Sequence, residues 1–299
     1  MNFNKFFGIF MLIGIIGLSP IQVLGQQKLA YSLKKDDSFK IKQEAKQLII
    51  QELEGAKHEL TNDLEAIFTF KVAGETASNY IIEMAFEDFG MKTTSNLQGV
   101  LINVKASEPE AGDLMSEMFN GLIGYQLEMI MQKDGKIIEV SGGNELVENM
   151  ITKAGITDDF TKNLMRESLS KEFSSDGLAK SFEQMTYFYP TELVSVGDTW
   201  NNEFNGKLKA KNNWTLEKLD ADGSSISGTS EITVDTVENG TTMALAGNQQ
   251  TSITTNAENG FIKAVTSESL AEGISKVANL GDVEIPTSIK STITYELIQ

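Results

Sequence analysis

The sequence predicts an α+β, mainly β protein: two related antiparallel sheet units, curved into half-barrels, with a central helical insertion. Three observations lead to this fold class. Apolar and polar residues alternate over long stretches, with turn signals roughly every dozen residues. A helical pattern fills much of the middle third. The strand pattern then restarts after Tyr189-Pro190, so we predict one sheet unit over residues 26–190 and another over 191–299.

Four long strands are predicted before residue 105. Turn signals such as Glu54-Gly55 and Gly74-Glu75 separate stretches of period-two alternation, as is typical of antiparallel strands joined by hairpins. Some apolar residues of the first stretch also fit a helical stripe, but a strand face fits nearly as well. We therefore predict strands over residues 39–53, 60–72, 79–89 and 97–104.

The helical insertion is predicted in two parts, over residues 110–123 and 144–185. In the first part, apolar residues recur at intervals of four behind an acidic first turn, which indicates a helix. A hairpin around Asp134-Gly135 separates the two parts. Within the second part, a break is predicted at residues 174–177.

Three aromatic residues, Tyr187, Phe188 and Tyr189, stand before Pro190. Proline cannot continue a helix and favours extended structure in the residue before it, so the helical insertion is expected to end here. We interpret the aromatic residues as packing the seam between the two sheet units. The alternative is an exposed aromatic lip on a binding groove.

The second unit is predicted as another meander of strands. Asp222-Gly223, Asn239-Gly240 and Asn259-Gly260 are hairpin turn signals. They separate predicted strands over residues 207–219, 225–237, 241–255 and 261–270, and a final strand is predicted over 284–297. A short helix is predicted over residues 268–277. The similar order of hairpins and helical stretches in the two halves is interpreted as a duplicated unit.

The first 25 residues indicate a secretory signal peptide, because Lys5 precedes an apolar run that ends before small residues. We expect an exported, soluble mature chain, periplasmic or extracellular, without a transmembrane segment. The sequence has no cysteine, so neither disulfides nor a lipid anchor on cysteine are expected. The formal net charge of −17 makes nucleic acid and anionic membranes poor partners.

The long opening strands, the central helix block, Tyr189-Pro190 and Gly197-Asp198-Thr199-Trp200 together resemble domain-of-unknown-function family 6263, uncharacterised secreted Bacteroidota proteins. The likeness covers nearly all of the mature chain. It implies a Gram-negative cell envelope and a mostly antiparallel architecture, and it carries over no catalytic residue. More loosely, the architecture is similar to the lipoprotein-carrier class of periplasmic folds, whose concave face holds acyl chains.

Catalytic and metal-binding motifs are weak. His58 is the only histidine, so histidine-based triads and multi-histidine metal sites are not expected. The carboxylate pairs Glu87-Asp88, Asp158-Asp159 and Asp220/Asp222 are interpreted as solvated surface charges in an acidic chain. Asp220 begins a calcium-loop-like run, but no acidic ligand follows in register. We predict no catalytic residue, no metal and no cofactor.

Methionine and phenylalanine residues cluster in the middle third, and flexible thioethers are typical of adaptable apolar surfaces. Ordinary core packing is one interpretation, and a groove for a lipid, peptide or other apolar ligand is the other. The candidate ligand-binding residues are Met115, Met118, Met129, Met131, Phe160, Phe173, Phe182 and Met185. Separately, Asp235-Thr236-Val237 resembles a Bacteroidota O-glycosylation signal, with Thr236 as the acceptor.

These observations favour a non-enzymatic envelope protein that binds an apolar or amphipathic ligand between sheet and helices. One alternative is a structural or protein-interaction module with a partner in the cell envelope. A carboxylate-based hydrolase is the other alternative, and it would depend on the acidic pairs named above.

Overall fold

A computed structural model describes residues 26–238, 240–278 and 283–299, so the predicted signal peptide lies outside the described residues. The first unit contains β1 (Gln27–Lys28), β2 (Ser38–Leu53), β3 (Ala56–Glu75), β4 (Asn79–Ser95), β5 (Gly99–Lys105), α1 (Leu114–Phe119), a 3-10 helix (Asn120–Leu122), β6 (Leu127–Gln132), β7 (Ile137–Ser141), α2 (Gly143–Lys153), α3 (Asp159–Phe173) and α4 (Ser175–Thr186). The second contains β8 (Leu193–Val194), β9 (Thr199–Asn205), β10 (Leu208–Asp220), β11 (Gly223–Glu238), β12 (Thr241–Thr255), β13 (Ile262–Val277) and β14 (Glu284–Leu297).

Twelve of these strands form one large antiparallel sheet. Its order is β7-β6-β4-β3-β2-β14-β13-β12-β11-β10-β9, with β5 paired to the remaining length of β4, while β1 and β8 form a separate two-stranded sheet. Strand accounts for 58% of the described residues and helix for 18%, which confirms the mainly β class. The strands of both predicted units lie in this one sheet, because β14 pairs with β2 from Thr287↔Gln51 to Leu297↔Ile41.

Most predicted strands are present, but the short helix predicted over Glu268–Val277 is wrong. These residues belong to β13, which pairs with β12 on one side and β14 on the other. Hydrogen bonds to two neighbouring strands therefore outweigh the helical preference of its Ala, Leu and Glu residues. His58, the only histidine of the sequence, lies within β3, which begins at Ala56.

The helical insertion is present with shorter elements than predicted. Its first helix covers only Leu114–Phe119, where the side chain of Asp113 accepts a hydrogen bond from the backbone N–H of Ser116. A 3-10 turn follows. In the second part, helix α3 ends at Phe173, and the next residue, Ser174, caps the start of α4 because its side chain accepts from the backbone N–H of Gly177. The predicted break is therefore confirmed.

The large sheet has an inner and an outer face. We call inner the face that carries Phe39 of β2, Phe70 of β3 and Trp214 of β10, all of which are buried. The helices pack on this face: α4 contacts both β7 and β9, the two outermost strands of the sheet. The core therefore lies between the inner face and the helical insertion.

The aromatic residues before Pro190 are largely buried. Phe188 and Tyr189 lie in the core, and Tyr187 is half-buried. Trp200 Nε1 donates a hydrogen bond to the Phe188 carbonyl at 2.8 Å, and Tyr189 OH donates to the Gly260 carbonyl at 2.6 Å. The Tyr31 ring lies 5.1 Å from that of Tyr189. The aromatic stretch thus contacts residues of both predicted units, Tyr31 of the first and Trp200 and Gly260 of the second.

Candidate ligand-binding cavity

A cavity of about 350 Å³ lies between the inner face of the sheet and the helices. Strands β2, β3, β4 and β14 form its floor, and helices α1, α3 and α4 form its roof. Most of its lining is aromatic or aliphatic. The lining residues are Gln43, Leu64, Ala66, Phe68, Phe86, Phe89, Met91, Phe119, Ser168, Leu169, Glu172, Phe173, Leu178, Ser181, Phe182 and Tyr295.

The floor of the cavity follows from strand alternation. Leu64, Ala66 and Phe68 are alternate residues of β3 and therefore point to the same face. Ala66 is directly opposite Gln43 on one side and Phe89 on the other. Since alanine has the smallest side chain of these positions, it leaves space beneath the helices that a larger residue would fill.

The roof depends on the helical break at Ser174. Leu169 and Phe173 of α3 are four residues apart, as are Leu178 and Phe182 of α4. Residues at this spacing lie on one helix face. Because the chain turns at Ser174, the apolar faces of two successive helices both reach the cavity.

Ring contacts connect roof and floor. The Phe68 ring centroid lies 5.5 Å from that of Phe182 and 5.0 Å from that of Phe86. Phe89 stacks on Phe119 of α1 at 5.0 Å, and Phe173 lies 5.8 Å from Phe119. Such edge-to-face and offset contacts stabilise aromatic clusters beyond simple burial. The roof is therefore packed against the sheet at both sides of the cavity.

Few polar groups line the cavity. Gln43 Nε2 donates to Tyr295 OH at 3.2 Å, and burial raises the pKa of Tyr295 to about 12, so its phenol stays neutral at physiological pH. Ser168, Ser181 and Glu172 are exposed. Glu172 forms an ion pair with Lys207. The site can hold an apolar group, but its lining does not assemble an acid, a base and a nucleophile.

The structure places the eight candidate ligand-binding residues in three environments. Phe173 and Phe182 line the cavity. Met118, Met129, Met131 and Met185 are buried in the surrounding core, whereas Met115 is 36% exposed and Phe160 is 71% exposed. The floor residues Ala66, Phe68, Phe86 and Phe89 were absent from the candidate set. The sequence pattern predicts the strands that carry these residues. It does not indicate that the apolar faces of β3 and β4 pack against the helices.

The acidic pairs have local structural roles. Asp158 caps α3 by accepting from the Thr161 backbone N–H and hydroxyl at 2.8 and 2.7 Å, and the Thr161 bonds hold the pKa of Asp158 below its usual value. Asp88 Oδ1 accepts from Phe89 N at 2.8 Å, and Asp220 pairs with Lys218. Among the described residues, no group of three or more His, Asp or Glu side chains is placed to hold a metal ion.

Thr236, the candidate glycosylation site, lies inside β11. It is opposite Met243 of β12, and its hydroxyl oxygen is buried without a hydrogen-bond partner among the described residues. A glycan on this oxygen would need the strand to open locally.

A larger depression of about 900 Å³ lies on strands β9 to β12, where most of its lining residues belong to the outer face. Its lining is polar throughout and includes Asn213, Thr229, Asn248 and Gln250, four exposed outer-face residues. Ligand sites are usually concave and mainly apolar with few polar groups. The smaller cavity beneath the helices fits that description better.

Fold and cavity together define an antiparallel-sheet protein with an apolar space between the sheet and a helical layer. The chain belongs to the family of unknown function DUF6263, whose family model matches residues 77–262. No curated protein sequence matches the chain. Among the described residues, no helix is both long enough and apolar enough to cross a membrane.

Among solved structures, the chain is similar to lipovitellin, in a structure that concerns lipid–protein interactions, with a TM-score of 0.51 and 10% identity. The match covers 89% of this chain and 25% of the lipovitellin chain, so it spans about a quarter of that protein. A weaker similarity is to an outer membrane channel from Pseudomonas putida F1, with a TM-score of 0.26, 8% identity and coverage of 94% and 100%. At these identities the lipovitellin match shows the fold alone.

Proposed function

We propose that this protein binds, without catalysis, an apolar or amphipathic ligand in the cavity between the inner sheet face and helices α3 and α4. The observation that carries the proposal is the lining: a cluster of Phe, Leu and Met side chains around an unfilled space of about 350 Å³. A space of this size with an apolar lining, at the lower end of the usual range for ligand sites, suits an apolar occupant.

The size of the cavity favours a ligand with a single acyl or alkyl chain over the storage of many lipid molecules. A methylene group is about as large as a water molecule, whose share of liquid volume is about 30 Å³, so the space holds on the order of a dozen carbon atoms. The lipovitellin likeness supports a sheet of this kind as a lipid-binding scaffold by analogy of fold. The proposed setting is the cell envelope, as the sequence predicts.

The test is to fill the cavity. Ala66 is buried in its floor, and Ala66→Leu would place three further carbon atoms there. We expect the variant to bind the neutral fluorescent probe N-phenyl-1-naphthylamine at least about tenfold more weakly than the unmodified protein, because the apolar contact volume is occupied. Probe fluorescence on titration gives the Kd.

Ala246→Leu is the matched control, because Ala246 is exposed on the outer side of β12. It should bind the probe like the unmodified protein. Equal binding by Ala66→Leu, with its melting temperature retained, would contradict the proposal, as would failure of the unmodified protein to bind the probe at all.

A further inference from the structure

A continuous row of uncharged polar residues crosses nine strands on the inner face. The cross-strand register places each residue directly opposite the next, and every member is Ser, Thr, Asn or Gln. We call this row the polar belt. Its members, from β4 to β9 through the sheet, are Thr93, Asn62, Gln47, Ser291, Ser269, Gln249, Ser230, Asn212 and Asn202.

Charge is segregated from this belt. Neither the belt nor the inner-face positions two residues to either side carry Asp, Glu, Lys or Arg. The outer-face residues beside it include Lys46, Asp63, Lys92 and Glu268. The chain has a formal net charge of −17. Even so, this part of the inner face offers hydrogen-bonding side chains and no charged ones.

The part of the belt nearest the cavity is half-buried and linked by hydrogen bonds. Thr93 Oγ1 donates to Asn62 Oδ1 at 2.8 Å, and Asn62 Nδ2 donates to Gln47 Oε1 at 3.0 Å. Gln47 Nε2 reaches Ser291 Oγ at 3.4 Å. An amide group has two N–H donors and two carbonyl lone pairs. Asn62 and Gln47 each retain one donor and one acceptor for a further partner.

The belt is within reach of a molecule held in the cavity. Leu64 and Met91 line the cavity, and the next pair along the same face is Asn62, two residues before Leu64, and Thr93, two residues after Met91. That spacing is about 7 Å along a strand. A short headgroup on a chain inserted beneath the helices would therefore lie over Asn62 and Thr93.

From this placement we propose that the ligand is a single-chain amphiphile whose headgroup is uncharged and bears hydroxyl groups, and that the polar belt binds this headgroup. The inference rests on the proposed function. A hydroxyl both donates and accepts, which matches the free donor and acceptor on each belt amide. A charged headgroup would be partly desolvated with no oppositely charged side chain in the belt or at the inner-face positions beside it, which is costly.

The experiment compares probes with the same acyl or alkyl length and different headgroups: monolauroylglycerol, laurate and dodecyltrimethylammonium. Displacement of N-phenyl-1-naphthylamine measures each affinity. We expect monolauroylglycerol to bind at least about tenfold more tightly than either ion. The double variant Gln47→Leu/Asn62→Leu should lose most of this preference while binding the fluorescent probe normally, because the apolar cavity is unchanged.

Two further variants sharpen the test. Gln47→Lys places a cation in the belt and should raise the affinity for laurate relative to monolauroylglycerol. Gln250→Leu removes an exposed amide from the outer side of β12 and should leave all three affinities unchanged. The melting temperature of each variant shows whether it folds.

The outcomes separate the two proposals. If the fluorescent probe binds and is lost in Ala66→Leu, but the three amphiphiles bind equally or the double variant keeps the preference, the cavity proposal stands and the headgroup inference is overturned. If neither the fluorescent probe nor any amphiphile binds the unmodified protein, both fail.

Discussion

Trp214 shows how a single residue pair decides local packing on the inner face. It is directly opposite Gly228 of β11, and a Cβ built on that glycine would lie 2.3 Å from the indole carbon Cζ3. Trp214 Nε1 donates to Asn202 Oδ1 at 2.9 Å, which fixes the ring. Gly228 is therefore a site of close aromatic contact within a long strand.

Replacing Gly228 with Ala should lower the free energy of unfolding by about 2 kcal/mol, because the added methyl group must displace the buried Trp214 ring. Chemical denaturation followed by tryptophan fluorescence measures the change. Gly74→Ala is the control: Gly74 lies in β3, and the nearest atom to its built Cβ is 4.0 Å away. That variant should be as stable as the unmodified protein or slightly more so, and equal effects of the two would contradict the interpretation.

Glu183 should make the stability of the protein depend on pH. Burial raises the pKa of this half-buried carboxyl, although the Ile137 backbone N–H, which donates to it at 3.2 Å, and Lys136 oppose the effect. The pKa of Glu183 is higher in the folded than in the unfolded protein. The protonated carboxyl therefore contributes stability that is fully present below the unfolded-state pKa and is lost as the pH rises through the folded-state pKa.

Glu183→Gln should therefore be more stable than the unmodified protein at pH 7, with a difference that shrinks as the pH falls towards about 4. Thermal melts at several pH values test this. Glu167→Gln on the exposed side of α3 serves as the comparison and should show no such convergence. A Glu183→Gln curve parallel to that of the unmodified protein would rule out the burial effect.

At the scale of elements, the roof of the cavity depends on how α3 passes into α4. Ser174 both ends α3 and caps α4, since its hydroxyl accepts from Gly177 N at 3.2 Å. The two helices carry Leu169, Phe173, Leu178 and Phe182 of the cavity lining. The capping bond therefore helps to hold the roof in place.

Ser174→Ala should lower the free energy of unfolding by about 1 kcal/mol through loss of the cap. Hydrogen exchange in the first turn of α4 should accelerate as well. Ser175→Ala, one residue further, supplies a helix-favouring residue without removing the cap and should not destabilise. If Ser175→Ala costs as much as Ser174→Ala, the cap is not the cause.

Elements with local signals were predictable, and those decided by distant partners were not. The helical break followed from Ser174 and Gly177, and four hairpins followed from their Asp-Gly or Asn-Gly turns. By contrast, Glu268–Val277 became a strand because β12 and β14 flank it. The cavity similarly joins β2, β3, β4 and β14 with α3 and α4. Phe173 and Phe182 belong to the candidate residues predicted from the sequence. The residues of the cavity floor could not be predicted, because the floor depends on which distant strands lie side by side.

At the scale of the molecule, the sheet links residues from both predicted units. Trp200 and Trp214, the two tryptophans of the sequence, lie in β9 and β10, whereas helices α1 to α4 lie in the first unit. Since β14 and β2 pair over a long stretch and α4 contacts both outermost strands, we expect the two regions to depend on each other for stability.

Tryptophan fluorescence and the helical far-ultraviolet ellipticity should therefore report the same unfolding midpoint. Ile293→Pro, which removes a backbone donor within β14, should lower both midpoints together. Thr287 lies near the start of the same strand, and Thr287→Ser offers a mild control. Two separated transitions in the unmodified protein would show that the halves unfold independently.

The pairing of β2 with β14 also bears on how the chain matures. Ribosomes deliver a polypeptide from its amino end, so β2 and β3 can form a hairpin early, while the other side of β2 waits for a partner more than two hundred residues later. Until that partner arrives, a long strand edge is open to pairing with other chains. A nascent or truncated molecule that stops before β14 would therefore need a chaperone or rapid clearance to stay out of aggregates.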